Sequence, residues 1–451
     1  MMQDMTTGSP LKLILTFSLP LLLGNLFQQA YHLADAAIVG QTLGSMALAA
    51  VGSTSSVQFL VTGFCQGLCL GFAIPVGQRF GAKDLPEMHR YEAAGSLLAV
   101  LIALLLTAGT AFFCRNILHM LQVPQEIFEA SWQYLFVIFL TIPFTIMYNW
   151  LAGIMRAVGD SRTPFLYLSA ASLLNIVLDC LFIIVFHLGV FGAALATSIS
   201  QAVSAFLCLR AVMRKFPVLH IASEERRLSF SHGRELLTMG VPMGMQWSVI
   251  AIGAMVMQSA NNSLGTLYVA AFTAASKIKQ FALCPFDAIA TSVSTFVAQN
   301  YGARQMQRIR QGLRKGLAAA VGYGLCAGIM MVLFDEPLNR LFLDESHVGE
   351  LYFASLYLRR LGYCLWLLGI TNVCRGGLQG MGYAGRAMDT GLISMAGRIV
   401  VCIGFVGALG YDAVTWADQI AWFAGACASI PVLRQSLKET EIAFAKDKKG
   451  E

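Results

Sequence analysis

A carboxylate, Asp35, stands inside the first long apolar stretch of the chain, residues 11–39. At helical spacing it shares one face with Gly24, Gln28 and Tyr31. A carboxylate in a membrane helix is costly, and it normally faces a partner or a water-filled cavity. Asp35 is therefore a candidate for binding a proton or a metal cation. The alternative is that it lies close enough to the helix end to reach the headgroups.

A second group of polar residues follows in the fifth and sixth apolar stretches. Asn175 and Asp179 are one helical turn apart in SLLNIVLDCLFIIV, and Thr197 lies in GVFGAALATSIS. At ~1.5 Å per residue, Asp179 lies roughly 24 Å into a hydrocarbon core of about 30 Å, in the same outer half as Asp35 and Thr197. The four residues are therefore expected at one depth.

Two carboxylates that share a dry site cannot both ionise cheaply, so one of them is expected to hold a proton. With an amide and a hydroxyl nearby, the cluster could bind H⁺ or ligate Na⁺ through hard oxygen atoms. The alternative is that Asn175 and Asp179 only link helices through hydrogen bonds.

The elements that position these residues are membrane helices. Only 12% of the 451 residues are charged and 57% are hydrophobic, whereas soluble domains carry about a quarter of charged residues. An all-α, multi-pass membrane protein follows, and nucleic-acid binding is excluded because the basic residues lie between apolar spans. Twelve spans are predicted, at residues 11–39, 46–78, 91–114, 132–156, 164–187, 190–213, 235–260, 266–299, 313–334, 351–375, 387–410 and 412–436.

Lys and Arg set the orientation of the spans. They collect in the loops after the second, fourth, sixth and eighth spans and in the C-terminal tail. Cytoplasmic loops carry this excess of positive charge. The sequence therefore predicts a protein of the cell (inner) membrane with both termini in the cytoplasm.

The two halves of the chain are copies of each other. FSLPLLLGN around Pro20 matches MGVPMGMQW around Pro242, about 222 residues later, and three further segment pairs keep nearly the same offset. Six spans precede the repeat, so both copies have one orientation, an architecture in which two bundles rock about a central site. The predicted domains are a first lobe at 1–213, a linker at 214–234 and a second lobe at 235–451. Pro20 is expected to kink the first span.

The copies differ where the polar cluster lies. The offset places Met257 opposite Asp35 and Cys402 opposite Asp179, while Arg398 takes the position of Asn175. Because only the first half has the acids, cation binding is expected in that lobe alone.

The order and spacing of several motifs resemble the multidrug and toxic compound extrusion (MATE) transporters. These motifs are QRFGA and QNYGA after spans two and eight, and NIVLD followed by GAALAT. The resemblance implies two lobes in a V shape and a cation-coupled exporter of bulky, often cationic compounds. It also implies a first-lobe cation site, whose family positions are matched here by Asp35, Asn175, Asp179 and Thr197. The acids that another branch uses in spans seven and ten are absent, since Gln258 and Arg375 stand in those spans.

Other polar and flexible residues could line a substrate cavity. The candidates are Gln28, Tyr31, Met257, Gln258, Lys279 and Arg398. Some of them have a plainer alternative. Lys277 and Lys279 could reach the headgroups, Arg398 could tie helices together, and Met could fill the core.

The function expected from the sequence is antiport by alternating access, with H⁺ or Na⁺ as the coupling ion and no cofactor. We expect that H⁺ can drive the cycle and that Na⁺ competes for the same site. Expected partners are small organic molecules and the lipid bilayer, and the protein is expected to be a monomer and no enzyme. The alternative is a flippase for lipid intermediates or polysaccharides from the same broad superfamily, although few cations lie at membrane depth.

The asymmetry of the repeat gives a testable prediction. Met257→Leu and Cys402→Ala should leave gradient-driven dye efflux from proteoliposomes largely intact, because neither residue carries a charge. Asp35→Asn should abolish that efflux. If either second-lobe substitution proved as damaging as Asp35→Asn, the acids would have no special role in the first lobe.

Overall fold

The protein is described here by a computed structural model that covers residues 3–221, 229–344 and 346–449, with the backbone alone for residues 447–449. Part of the predicted linker and both chain ends lie outside the described residues. Throughout the described ranges the chain is helical and has no strand. The all-α prediction is therefore confirmed.

Sixteen α-helices follow one another in the described ranges. They are α1 (Pro10–Leu43), α2 (Ser45–Gly81), α3 (Leu85–Phe112), α4 (Cys114–Met120), α5 (Gln125–Leu140), α6 (Ile142–Ala157), α7 (Arg162–Asp179), α8 (Gly189–Lys215), α9 (Phe230–Asn262), α10 (Thr266–Gly302), α11 (Met306–Leu333), α12 (Asp335–Asn339), α13 (Val348–Gly380), α14 (Ala384–Gly404), α15 (Val406–Leu409) and α16 (Tyr411–Lys449). A π-helical segment, Cys180–Val185, continues α7, and a short 3₁₀ turn, Pro217–Leu219, follows α8.

The twelve predicted spans correspond to α1, α2, α3, α5 with α6, α7, α8, α9, α10, α11, α13, α14 and α16. Nine helices of the described chain are each long and apolar enough to cross a membrane, and α5 with α6 forms a tenth, bent span. The helices α13 and α16 are also long enough but carry more charged residues. The protein is thus a multi-pass membrane protein.

The fourth span is broken, whereas the sequence predicted a continuous helix at 132–156. The helices α5 and α6 meet at Thr141 with a bend of 42°. The Thr141 amide is satisfied by the carbonyl groups of Val137 and Ile138. Pro143, in the first turn of α6, has no amide hydrogen to continue the helical ladder. The bend therefore follows from the local sequence.

The chain forms two compact units whose limits differ from the predicted lobes. The first unit contains Leu23–Trp247, and the second contains Met5–Leu22 together with the chain from Ser248 onwards. Two helices thus pass from one unit to the other, α1 just after Pro20 and α9 just after Gln246.

Side-chain packing explains why these helices are divided. Ile14 and Phe17 of α1 are buried in the same apolar core as Phe286 of the second unit. Leu236 of α9 is buried in the first unit's core with Phe72. A hydrophobic pattern identifies a buried face, but it does not show which core that face joins.

The beginning of the described chain is anchored within the second unit. Met5 is fully buried; its amide donates to Gln299 Oε1 at 2.8 Å, and its carbonyl oxygen accepts from Asn300 Nδ2 at 3.0 Å. Arg308 adds a further bond to the Met5 carbonyl at 3.0 Å and one to the Gly8 carbonyl at 2.9 Å. The segment QNYGA therefore holds the N-terminal peptide.

Glycines allow close helix contact in the core of the second unit. A Cβ atom at Gly328 of α11 would lie 2.3 Å from the carbonyl oxygen of Gly362 in α13, and a Cβ atom at Gly362 would lie 2.6 Å from that of Gly328. The two helices can approach this closely only because both positions lack a side chain.

This contact predicts that two Gly→Ala substitutions in α11 have different effects on stability. Gly328→Ala should lower the melting temperature of the purified protein by several degrees, since forced overpacking costs about 1–3 kcal/mol. Gly322→Ala is the matched control, because a Cβ atom there meets nothing within 4 Å. It should be neutral or slightly stabilising. Equal melting temperatures for both variants would contradict the packing argument.

Candidate functional site

The two acids predicted to share a site lie together in the first unit. Asp35 is on α1, and Asp179 is the last residue of α7. The two carboxyl groups are close enough to interact electrostatically. Asp179 is fully buried, and Asp35 is partly buried. Since two neighbouring carboxylates in a dry site cannot both ionise cheaply, this arrangement fits a site that holds one proton.

Asn175 and Thr197 complete the cluster. The side-chain amide of Asn175 donates to Thr197 Oγ1 at 3.5 Å, and Asn175 is only 2% exposed. The structure therefore brings together all four residues of the predicted cation site. Cation binding by them stays a prediction.

Four buried oxygen atoms of this cluster accept no hydrogen bond from the described part of the chain. They are Asp35 Oδ1, Asn175 Oδ1 and both carboxyl oxygens of Asp179. Buried polar atoms are normally satisfied, and an unpaired buried acceptor is costly. Four such acceptors in one place, all hard oxygen atoms, fit a proton or a small cation such as Na⁺.

Directly after Asp179 the chain adopts an unusual helical form. The segment Cys180–Val185 is π-helical, a form that is rare and often found at functional sites. The backbone of α8 then passes close to this segment, because a Cβ atom at Gly192 would lie 3.1 Å from Phe182 Cβ. This close approach brings the α8 residue Thr197 level with the end of α7.

An apolar cluster covers one side of the acid pair. Val39, Ile183 and Ala193 are buried together, and each lies four residues from one member of the polar cluster. Side chains one helical turn apart lie on the same face. The cluster therefore excludes water from this side of the site and lowers the local dielectric constant.

Two tyrosines also face the acids, and only one of them was predicted. Tyr31 interacts with Gln28, and Tyr134 of α5 interacts with Gln58; both rings are buried near Asp35 and Asp179. Tyr134 was missed because one tyrosine in an apolar span is an ordinary core residue. The internal repeat held a signal, since a tyrosine also stands at the matching position, 357.

The second unit has no acid pair at the equivalent position. Met257 and Cys402 are both 2% exposed and belong to the apolar core. Met257 packs in this core, and its predicted role in lining a cavity stays a prediction. Arg398, opposite Asn175 in the repeat, forms an ion pair with Asp418 at 2.8 Å.

Asp418 also contacts Lys279, the other basic candidate. This acid was not predicted from the sequence. Lys279 Nζ lies 2.8 Å from Asp418 Oδ2. Asp418 is on α16, and the repeat places it opposite Thr197, a polar position that could have drawn attention to it. Arg398 therefore ties two helices together, as the plainer interpretation of that residue proposed.

The other predicted positions have simple surroundings. Gln258 donates to Asn262 Oδ1 at 2.8 Å within α9. Pro20 is buried inside α1, which continues on both sides of it. The predicted kink at Pro20 and the cavity role of Gln258 stay predictions.

Comparison with known proteins gives consistent matches over most of the chain. A family model described as MatE matches residues 20–181 and 242–403, one copy in each half. "Probable multidrug resistance protein YpnP" of Bacillus subtilis (strain 168) is 30% identical over 391 residues, which is 87% of each chain. "FAD transporter" of Shewanella oneidensis is 25% identical over 405 residues, 88% of each chain.

A solved structure described as "Crystal structure of MATE in complex with MaL6" has the same fold. It matches with a TM-score of 0.91 at 23% identity, covering 97% of this chain and 98% of the other. The fold predicted from the sequence, twelve membrane helices in two repeated halves, is thereby confirmed.

The cluster of unpaired oxygens predicts direct cation binding. Purified protein in detergent should bind ²²Na⁺ at pH 8.5 and release it at pH 5.5, because protons compete for the same carboxylates. Asp35→Asn and Asp179→Asn should each weaken binding at least tenfold, whereas Met257→Leu, at the repeat position of Asp35, should not. Equal ²²Na⁺ binding by the wild type and Asp35→Asn would contradict the assignment.

Proposed function

Because this chain belongs to the MatE family of transporters, we propose that it is a cation-coupled antiporter that exports bulky organic compounds. The name of the Bacillus subtilis relative supports multidrug compounds as substrates. We further propose that the protein works as a monomer in the inner membrane, with both termini in the cytoplasm and without a cofactor.

The observation that carries this proposal is the buried acid pair. Asp35 and Asp179 have no basic partner in the described chain, so the cluster is short of positive charge. A buried acid without a counterion favours the uptake of a cation from solution. Binding and release of that cation change the charge of the first unit in each cycle.

The position of Asp35 connects this charge to a moving part. Asp35 is on α1, whose first turns pack in the second unit and whose later turns pack in the first. Pro20 lies next to this change and removes one hydrogen bond from the helical ladder. A change of charge at Asp35 therefore acts on a helix that bends more easily near Pro20, and this supports alternating access.

We propose H⁺ as an ion that can drive the cycle, with Na⁺ as a competitor. Protonation of the pair removes a buried charge and lets α1 repack around Tyr31. Sodium would leave the pair with a net charge near −1 and hold the helices together through its ligands. Both ions would thus bind, but protonation produces the larger change in the cost of burial.

A second candidate function is favoured by the basic residues of the second unit. Lys279, Arg375 and Arg398 all lie within predicted spans of the second unit. They would suit an acidic group, as on a lipid intermediate handled by a flippase. The relative from Shewanella oneidensis named an FAD transporter is consistent with anionic substrates.

The proposal predicts transport by a proton gradient alone. In nominally sodium-free buffer, an inward H⁺ gradient should drive rhodamine 6G out of proteoliposomes that contain the wild-type protein. Asp35→Asn should abolish this efflux, because the amide keeps the shape of the side chain but takes up no proton. The melting temperature of the variant controls for folding. No efflux without Na⁺, with full efflux under an inward Na⁺ gradient, would show that H⁺ is not the driving ion.

A further inference from the structure

Four helices of the second unit converge on one buried carboxylate, Asp418. Lys279 Nζ of α10 contacts Oδ2 at 2.8 Å, and Arg398 Nη2 of α14 contacts Oδ1 at 2.8 Å. The hydroxyl of Tyr357 on α13 donates to Oδ2 at 2.9 Å, and Lys279 Nζ also donates to this hydroxyl at 3.0 Å. We call these four residues, Lys279, Tyr357, Arg398 and Asp418, the basic cluster.

The basic cluster has a surplus of positive charge. Two basic groups share one acid, so its formal charge is +1, and no second carboxylate of the described chain pairs with Lys279 or Arg398. Asp287, another acid in the spans of this unit, accepts from Asn372 at 3.2 Å. Arg375 lies close enough to Arg398 to repel it. A positive surplus inside a membrane span is costly, and an anion would reduce that cost.

Some donors of the basic cluster are unused. The Lys279 ammonium has three N–H groups, of which one reaches Asp418 and one reaches Tyr357. Arg398 Nε is buried and donates to nothing in the described chain. Gly253 leaves room for the guanidinium, since a Cβ atom there would lie 3.0 Å from Nη1.

The order of burial leaves the basic groups on the accessible side. The Asp418 side chain is 2% exposed, whereas those of Lys279 and Arg398 are 17% and 15% exposed. The two basic side chains are therefore more accessible to an acidic group than Asp418 is.

The internal repeat places this cluster opposite the acid pair of the first unit. Asp418 corresponds to Thr197, Tyr357 to Tyr134, and Arg398 to Asn175. At equivalent positions, one copy of the fold thus has acids without a cation, and the other has cations in excess of its acid.

We propose that Lys279 and Arg398 bind one acidic group, a carboxylate or a phosphate, of a transported molecule. Asp418 is the internal counterion that shares the two basic side chains while no ligand is bound. This inference rests on the proposed function for its ligand, a transported molecule. It extends that function to zwitterionic and anionic amphiphiles.

Two dyes that differ in one carboxyl group test the inference. Rhodamine B carries a free carboxylate, and rhodamine B ethyl ester has the same ring system without it. Binding of each dye to the purified protein in a non-ionic detergent can be followed by fluorescence anisotropy, with no ion gradient. The quantity of interest is the ratio of the ester's dissociation constant to that of the acid.

Charge-changing variants should move this ratio in opposite directions. Lys279→Met takes the cluster from +1 to 0 and should lower the ratio at least tenfold. Asp418→Asn takes the cluster to +2 and should raise the ratio at least threefold, because it removes the carboxylate that competes with the dye for the two basic side chains. The double variant Lys279→Met/Asp418→Asn restores +1 and should return the ratio to within threefold of the wild type. Lys277→Met is the matched control, as it removes a neighbouring charge outside the cluster and should not change the ratio.

A purely structural role for the basic cluster predicts a different pattern. Lys279→Met and Asp418→Asn would then weaken both dyes together and lower the melting temperature, with the ratio unchanged, and the inference would be overturned. An equal drop in Lys277→Met would overturn it as well. The double variant keeps the test sound if Asp418→Asn alone does not fold.

A lipid arm identifies the source of the acidic group. The titration is repeated in nanodiscs of phosphatidylcholine with and without phosphatidylglycerol. No competition by phosphatidylglycerol supports a soluble transported molecule. Competition that Lys279→Met abolishes would assign the site to a lipid headgroup and overturn the assignment to a soluble molecule. Because no gradient is applied, a failure of cation coupling would leave these ratios unaffected, so the two proposals fail separately.

Discussion

The cost of charge in a membrane is the constraint on which this structure depends. A buried ionised group needs a counterion or a full set of hydrogen bonds. The second unit satisfies Asp418 from within the chain, through Lys279, Arg398 and Tyr357, and keeps one positive charge in excess. The first unit leaves Asp35 and Asp179 without a basic partner in the described residues. The same fold, used twice, thus has buried acids without a counterion in one half and an excess of basic groups in the other.

The sequence was sufficient to predict the spans and the acid cluster. Apolar length identifies membrane helices, and the period of 3.6 residues places Asn175 and Asp179 on one face. Helix ends were less accurate: α11 begins at Met306 and not at 313, because its first two turns carry arginines that extend beyond the membrane. Asp418 was not predicted as a site residue, since its partners lie on other helices, Lys279 being 139 positions away. Pairing over such distances is a property of the fold.

The division of α1 and α9 between the two units shows a further limit of sequence reasoning. Pattern and charge identified both helices and their prolines, and the repeat made Pro20 and Pro242 equivalent. On this basis the linker at 214–234 was predicted to separate the lobes. The packing of Phe17 and Leu236, however, assigns the first turns of each helix to the other half's unit. A lobe of this protein is therefore not a continuous stretch of sequence, and neither half is expected to fold correctly when expressed alone.

The anchored N-terminal peptide has a consequence for synthesis. Met5 is synthesised 294 residues before Gln299, and its other hydrogen-bonding partners, Asn300 and Arg308, follow later still. At about 5–20 residues per second, the ribosome needs some tens of seconds to reach them. During that time the beginning of α1 is without these native contacts. The contacts of Met5 therefore form late in assembly, which makes this segment sensitive to a fused tag placed near it.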